Sequence, residues 1–163
     1  MLKMLMDPTR SSYREQLVEY AFLTELLQDG WFRRGQKIDV LHSEVDGSGY
    51  DLVAQCQGVT RHLQLKSSVV GGKTARQKAH IDLADQASGA VVWVVLHPED
   101  SRLRMTFLVF GGEAGKPIAD LTAFPVAKHT KGNAEGIKAE RKNHRVLPKA
   151  KFKKKATIVE LSD

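Results

Sequence analysis

Cysteine is almost absent from this chain of 163 residues, with Cys56 the only one. No internal disulfide can form, and a multi-cysteine zinc cluster within one chain is excluded. Long apolar runs are missing too: none approaches the roughly eighteen residues that a membrane-spanning helix needs. The opening MLKMLMDPTR breaks at Asp7 and Pro8, too soon for the apolar core of a signal peptide, so a cytoplasmic protein without a membrane partner is expected. There is no internal repeat, and the only low-complexity stretch is a cluster of lysines.

Acids become scarce towards the C-terminus. Residues 1–100 hold 11 Lys and Arg against 13 Asp and Glu, whereas residues 101–163 hold 14 against 6. Within KHTKGNAEGIKAERKNHRVLPKAKFKKK (128–155) eleven cations face only Glu135 and Glu140. A patch of this kind attracts phosphate by releasing condensed counterions, which makes nucleic acid the expected partner. Arg141, Lys142, Arg145, Lys151, Lys153, Lys154 and Lys155 are its candidate contacts. What is present elsewhere is ordinary globular composition, 42% hydrophobic and 27% charged, enough for one domain spanning 1–163. Its core is expected over about 12–110, with a basic extension over about 111–163.

The pattern predicts a helix over 12–28, with Ser as its N-cap and Gly30 as its stop. Strands are predicted over 36–42, 50–56 and 60–68, the last two joined as a hairpin. Ala75, Ala79, Leu83 and Ala87 predict a second helix over 74–88. The apolar run AVVWVVLH (90–97) reads as a buried central strand and 102–110 as the next. A short helix over 117–123 and a last strand over 156–161 complete the pattern. This order implies an α/β sandwich with a mixed central sheet flanked by helices.

The hairpin GYDLVAQCQGVTRHLQLKSS (49–68) carries one acid, Asp51, with Gln64 thirteen residues later and Lys66 just beyond. Alternation along a strand presents Gln64 and Lys66 on one face and Leu63 and Leu65 on the other. On the helix, Glu19 lies among Phe22, Leu23 and Leu26, where a carboxylate needs a partner. Glu19 also stands eleven residues before Gly30, which Trp31 follows.

These residues together resemble the PD-(D/E)xK nuclease superfamily, and their spacing is similar to that of its Holliday-junction resolvases. The resemblance covers roughly residues 12–110 and implies a restriction-endonuclease-like αβββαβ core. Tyr50-Asp51 stands for the Pro-Asp element and Gln64-Leu65-Lys66 for (D/E)xK, with an amide where an acid is usual. It implies a Mg2+-dependent endonuclease acting on DNA, with Mn2+ as an alternative metal, and a homodimer. Glu19, Asp51 and Gln64 would hold the metal, while Lys66 would orient the attacking water and stabilise charge. Ser67 and, after it, Lys73, Arg76, Gln77, Lys78 and His80 would meet the nucleic-acid backbone. A nuclease-like fold that only binds nucleic acid or a protein partner through its basic segment is the alternative.

Two other patterns carry less. Gly71-Gly72-Lys73-Thr74 is half of a phosphate-binding loop, because the first glycine of that motif is replaced by Ser67. His129, Asn143 and His144 suggest a histidine-based site, but without acidic neighbours they read as solvated side chains.

Overall fold

The computed structural model describes residues 7–44, 47–100, 102–129, 131–132 and 134–162. Its first long element is α1 (Ser11–Gln28), which runs into a π-helical turn over Asp29–Arg33. Strands β1 (Asp39–His42), β2 (Leu52–Cys56) and β3 (Val59–Val69) follow, then β4 (Arg76–His80), β5 (Ala90–Glu99) and β6 (Arg102–Gly111). The last part holds β7 (Val126–Lys128), β8 (Glu140–Pro148), β9 (Lys153–Lys155) and a short helix α2 (Ile158–Ser162). The protein is α/β, with a six-stranded sheet ordered β1-β2-β3-β5-β6-β9 and a three-stranded sheet ordered β4-β8-β7.

The large sheet is mixed. β1, β2 and β3 form an antiparallel meander, β5 lies parallel to β3, and β6 returns antiparallel to β5. The β2–β3 turn is Gln57-Gly58, flanked by the pair Cys56 and Val59. Both turn residues have positive φ, 48° and 78°, the geometry that matches a two-residue connection to strand twist.

β5 is apolar on both faces because both are covered. Val92, Val94 and Leu96 join Leu52, Leu63 and Phe107 under Val18, Phe22, Leu23 and Leu26 of α1. Val91 and Trp93 face the other way, into a second core with Ala79, Leu83, Leu121 and Leu147 on the side of the small sheet. Phe152 closes that core edge-on to Trp93, with ring centroids 5.4 Å apart. The basic segment is thus woven into the fold: β8 pairs with β4, and β9 pairs with β6.

Five local expectations are corrected. The residues expected to form a helix over 74–88 make β4 and a 3-10 turn over Ile81–Asp85 instead. Their amides pair with β8, Gln77 with Leu147 and Ala79 with Arg145, and this tertiary pairing outweighs an alanine-rich helical preference. The expected last strand over 156–161 holds α2, because β9 already takes the free edge of β6. There the Thr157 hydroxyl accepts from Glu160 N and Glu160 Oε2 accepts from Ala156 N, a reciprocal cap of the helix start. The helix expected over 117–123 is reduced to one 3-10 turn, Leu121–Ala123, started by Asp120 accepting from Thr122 N. Finally, Gly30 does not stop α1. It lies inside the π-helical turn, and a Cβ there would meet Ile38 Cδ1 at 2.7 Å, so the glycine serves a close approach. Nor does a serine cap α1, whose N-cap is Arg10 without a side-chain bond.

Candidate functional site

The hairpin brings Asp51, just before β2, to the middle of β3, beside Gln64. Leu52 pairs with Leu63, and just before it Asp51 N donates to the Leu63 carbonyl at 2.9 Å. Asp51 Oδ2 accepts from Leu65 N at 2.6 Å, locking the carboxylate onto β3. Gln64 is 5% exposed, and its Oε1 accepts from His80 N at 3.1 Å. That bond satisfies a buried amide and a buried backbone donor together.

Lys66 is half-buried, two residues along the same face and level with Trp93 of β5. No described residue hydrogen-bonds or ion-pairs with its ammonium. Ser68, next on that face, accepts from the Trp93 indole at 2.8 Å. Ser67 belongs by alternation to the opposite, α1-covered face.

Glu19 approaches this end of the sheet from α1. Its Oε1 lies 2.8 Å from His42 Nδ1, and His42 pairs with Leu52 while Ser43 N donates to the Asp51 carbonyl. The glutamate is therefore next to the strand end of Asp51 but engaged by an imidazole. Among the described residues no three His, Cys, Asp or Glu side chains are grouped to hold a metal. Asp51 and Gln64 can offer one carboxylate and one neutral oxygen. Two such donors fall short of a protein cage for a divalent cation, which would have to take the rest of its oxygen shell from elsewhere.

The loop before Asp51 is held against the crossover by Gly49. Its φ is +79°, and a Cβ there would lie 2.9 Å from Leu83 N and 3.2 Å from His80 Nδ1. His80 is thus packed between this loop and β8, where its ring meets that of His144 edge-on at 4.9 Å.

The expected nucleic-acid contacts fall in three places. Lys73 and Arg76 are exposed at the start of the crossover. The glycines before Lys73 lead into a strand, β4, whereas a phosphate-binding loop opens a helix. Lys78, Arg141, Lys142 and Arg145 lie on the small sheet. Lys78 Nζ donates to the Lys128 carbonyl at 2.8 Å, and burial with the charges of Arg141 and Lys138 holds its pKa down. Arg145 Nη1 donates to the Lys142 carbonyl at 2.7 Å. Lys151 is exposed, and Lys153, Lys154 and Lys155 form β9 at the far edge of the large sheet from β1.

His129, Asn143 and His144, read from the sequence as solvated, share a hollow with His80. Only the β4–β8 pairing, with His80 opposite His144, brings His80 to them, and no sequence spacing announces it. Protein-family models, curated proteins and solved structures were compared with the chain, and none matches it.

Proposed function

We propose that this protein is a Mg2+-dependent nuclease-like protein that hydrolyses phosphodiester bonds of DNA where Asp51, just before β2, meets Gln64 and Lys66 of β3. The observation that carries the reading is the Lys66 ammonium, unpaired among the described residues, on the face of Gln64 at the strand to which Asp51 is bonded. The order helix, antiparallel meander, crossover and parallel strand supports a restriction-endonuclease-like core. A strand and a 3-10 turn occupy the crossover where that core has a helix.

Asp51 and the Gln64 amide would hold the metal, and Glu19 would reach it through water. When bound, the ion would lower the pKa of a coordinated water and offset charge on the phosphoryl oxygens. Lys66 would orient the attacking water and neutralise the charge that grows on the phosphorus oxygens. The Leu65 amide fixes the Asp51 carboxylate, so that donor needs no reorganisation.

The binding-only alternative has its own support. The Gln64 oxygen already accepts from His80 N and Glu19 already pairs with His42. Incubation with linear, branched and single-stranded DNA in Mg2+ or Mn2+ separates the readings. The nuclease reading expects cleavage that disappears in Asp51→Ala while DNA binding remains. Binding without cleavage by the wild type would leave the binding module.

A homodimer is proposed through α1. Tyr13, Leu17, Tyr20 and Leu27 are exposed at helical spacing along its outer side, continued by Trp31 in the π-helical turn, an apolar stripe of the kind that marks an interface. Two copies packed antiparallel about Tyr20 would set Arg14 of one copy towards Glu25 of the other, since both lie on the same flank of the helix.

A further inference from the structure

An open hollow of about 350 Å3 lies on the small sheet, lined by His80, His129 and His144 with Arg141, Lys142 and a single acid, Glu140. We infer that this hollow is a phosphate-binding subsite that grips one backbone phosphate of a nucleic-acid strand beside the proposed cleavage site. The inference rests on the nucleic-acid reading above but not on hydrolysis.

Arg141, Lys142 and His80 bring donor groups to the lining of the hollow. Arg141 Nη2 lies 3.2 Å from His144 Nε2, and because a guanidinium only donates, the imidazole nitrogen is the acceptor. This contact holds the guanidinium at the hollow, where its remaining N–H groups can meet phosphate oxygens in pairs. His80 Nδ1 accepts from Asp82 N at 3.3 Å, so the neutral ring carries its proton on Nε2 as a donor. Arg145 Nη1 braces the strand behind them through the Lys142 and His144 carbonyls.

Cations outnumber acids around the hollow, where Glu140 is the one acid in the lining and the Asp82 carboxylate lies 3.6 Å from His80 Nδ1. Burial first, then the charges of Arg141 and Lys138, lowers the pKa of Lys78, and a bound anion would relieve the repulsive part. Position favours a nucleic-acid phosphate. His80, which lines the hollow, is bonded through its N to Gln64 of the strand that carries Lys66, so a continuous nucleic-acid strand could place phosphates at both.

The test uses the full chain in EDTA, so that no hydrolysis is needed. Imidazole C–H resonances are followed by NMR while inorganic phosphate, and separately an eight-nucleotide oligothymidylate, is added. The inference expects the His80, His129 and His144 resonances to move saturably with both ligands, at lower concentration with the oligonucleotide. Arg141→Ala should weaken oligonucleotide binding about tenfold or more, the worth of one charge-assisted hydrogen bond. The exposed His129→Ala should weaken it too, with the other resonances undisplaced in the free protein. Lys153→Ala with Lys154→Ala, on the far edge, should leave the histidine shifts intact. Resonances that stay still, a response to inorganic phosphate alone, or unchanged affinity in both Arg141→Ala and His129→Ala would overturn the inference. Saturable shifts in a protein that cuts no DNA would keep the subsite and remove the nuclease reading. Cleavage without those shifts would do the reverse.

Discussion

His80 N donates to Gln64 Oε1 at 3.1 Å, and both residues are buried. This bond fastens the crossover to β3 at the position where the resemblance expects a metal-binding acid. The amide is therefore a structural partner as well as a candidate ligand.

Replacing Gln64 with Leu removes the acceptor and strands the His80 amide in the interior. A buried donor without a partner costs about 1–3 kcal/mol, and urea denaturation should show a loss of that size. Gln64→Glu retains an acceptor oxygen and should fold nearly as well as the wild type at neutral pH.

Gly49→Ala meets two obstacles, a left-handed backbone with φ +79° and a Cβ 2.9 Å from Leu83 N. Together these should cost about 2 kcal/mol or more. Because Asp51 is two residues away, any DNA cleavage should fall further than the loss of folded protein explains, measurable by comparing rate with folded fraction.

His97 gives stability a pH dependence of known sign. Burial first, then the nearby Arg104, holds its pKa below 6.5, against a smaller opposing effect of Glu99. The unfolded chain then takes up the proton first, so this contribution is fully present above about pH 6.5. It is lost as pH falls towards the lower folded value. His97→Gln should therefore lose less stability than the wild type between pH 7.5 and 5.5 in paired thermal melts.

The exposed stripe predicts self-association. Light scattering after gel filtration should give about twice the 18.1 kDa chain mass. Tyr20→Glu, which places like charges at the centre of the proposed two-fold pairing, should return it to the monomer without lowering folded stability. A monomeric wild type would remove the α1 interface.

The parts of the fold legible in the sequence are those whose signals are local. α1, the Gln57-Gly58 hairpin and the doubly buried β5 each carry their own periodicity or turn chemistry. β4 was hidden because Ala75, Ala79 and Leu83 have helical spacing, and only pairing with β8, far along the chain, makes that segment a strand. α2 was legible in principle, since Thr157 and Glu160 form a capping-box spacing that outweighs the β-branched run between them. At the site, the side-chain alternation of Gln64 and Lys66 is a strand property and could be read directly. The partners of Gln64 and Glu19 could not, because His80 and His42 arrive through tertiary packing. The same packing turned three scattered histidines into one hollow.

Lys66 is the most direct test of the account. Single-turnover cleavage of DNA in Mg2+ should be compared between the wild type and Lys66→Ala at matched DNA occupancy. The account predicts cleavage by the wild type and a loss of at least about a hundredfold in the variant, the usual worth of one positioned catalytic group. Equal rates would contradict it.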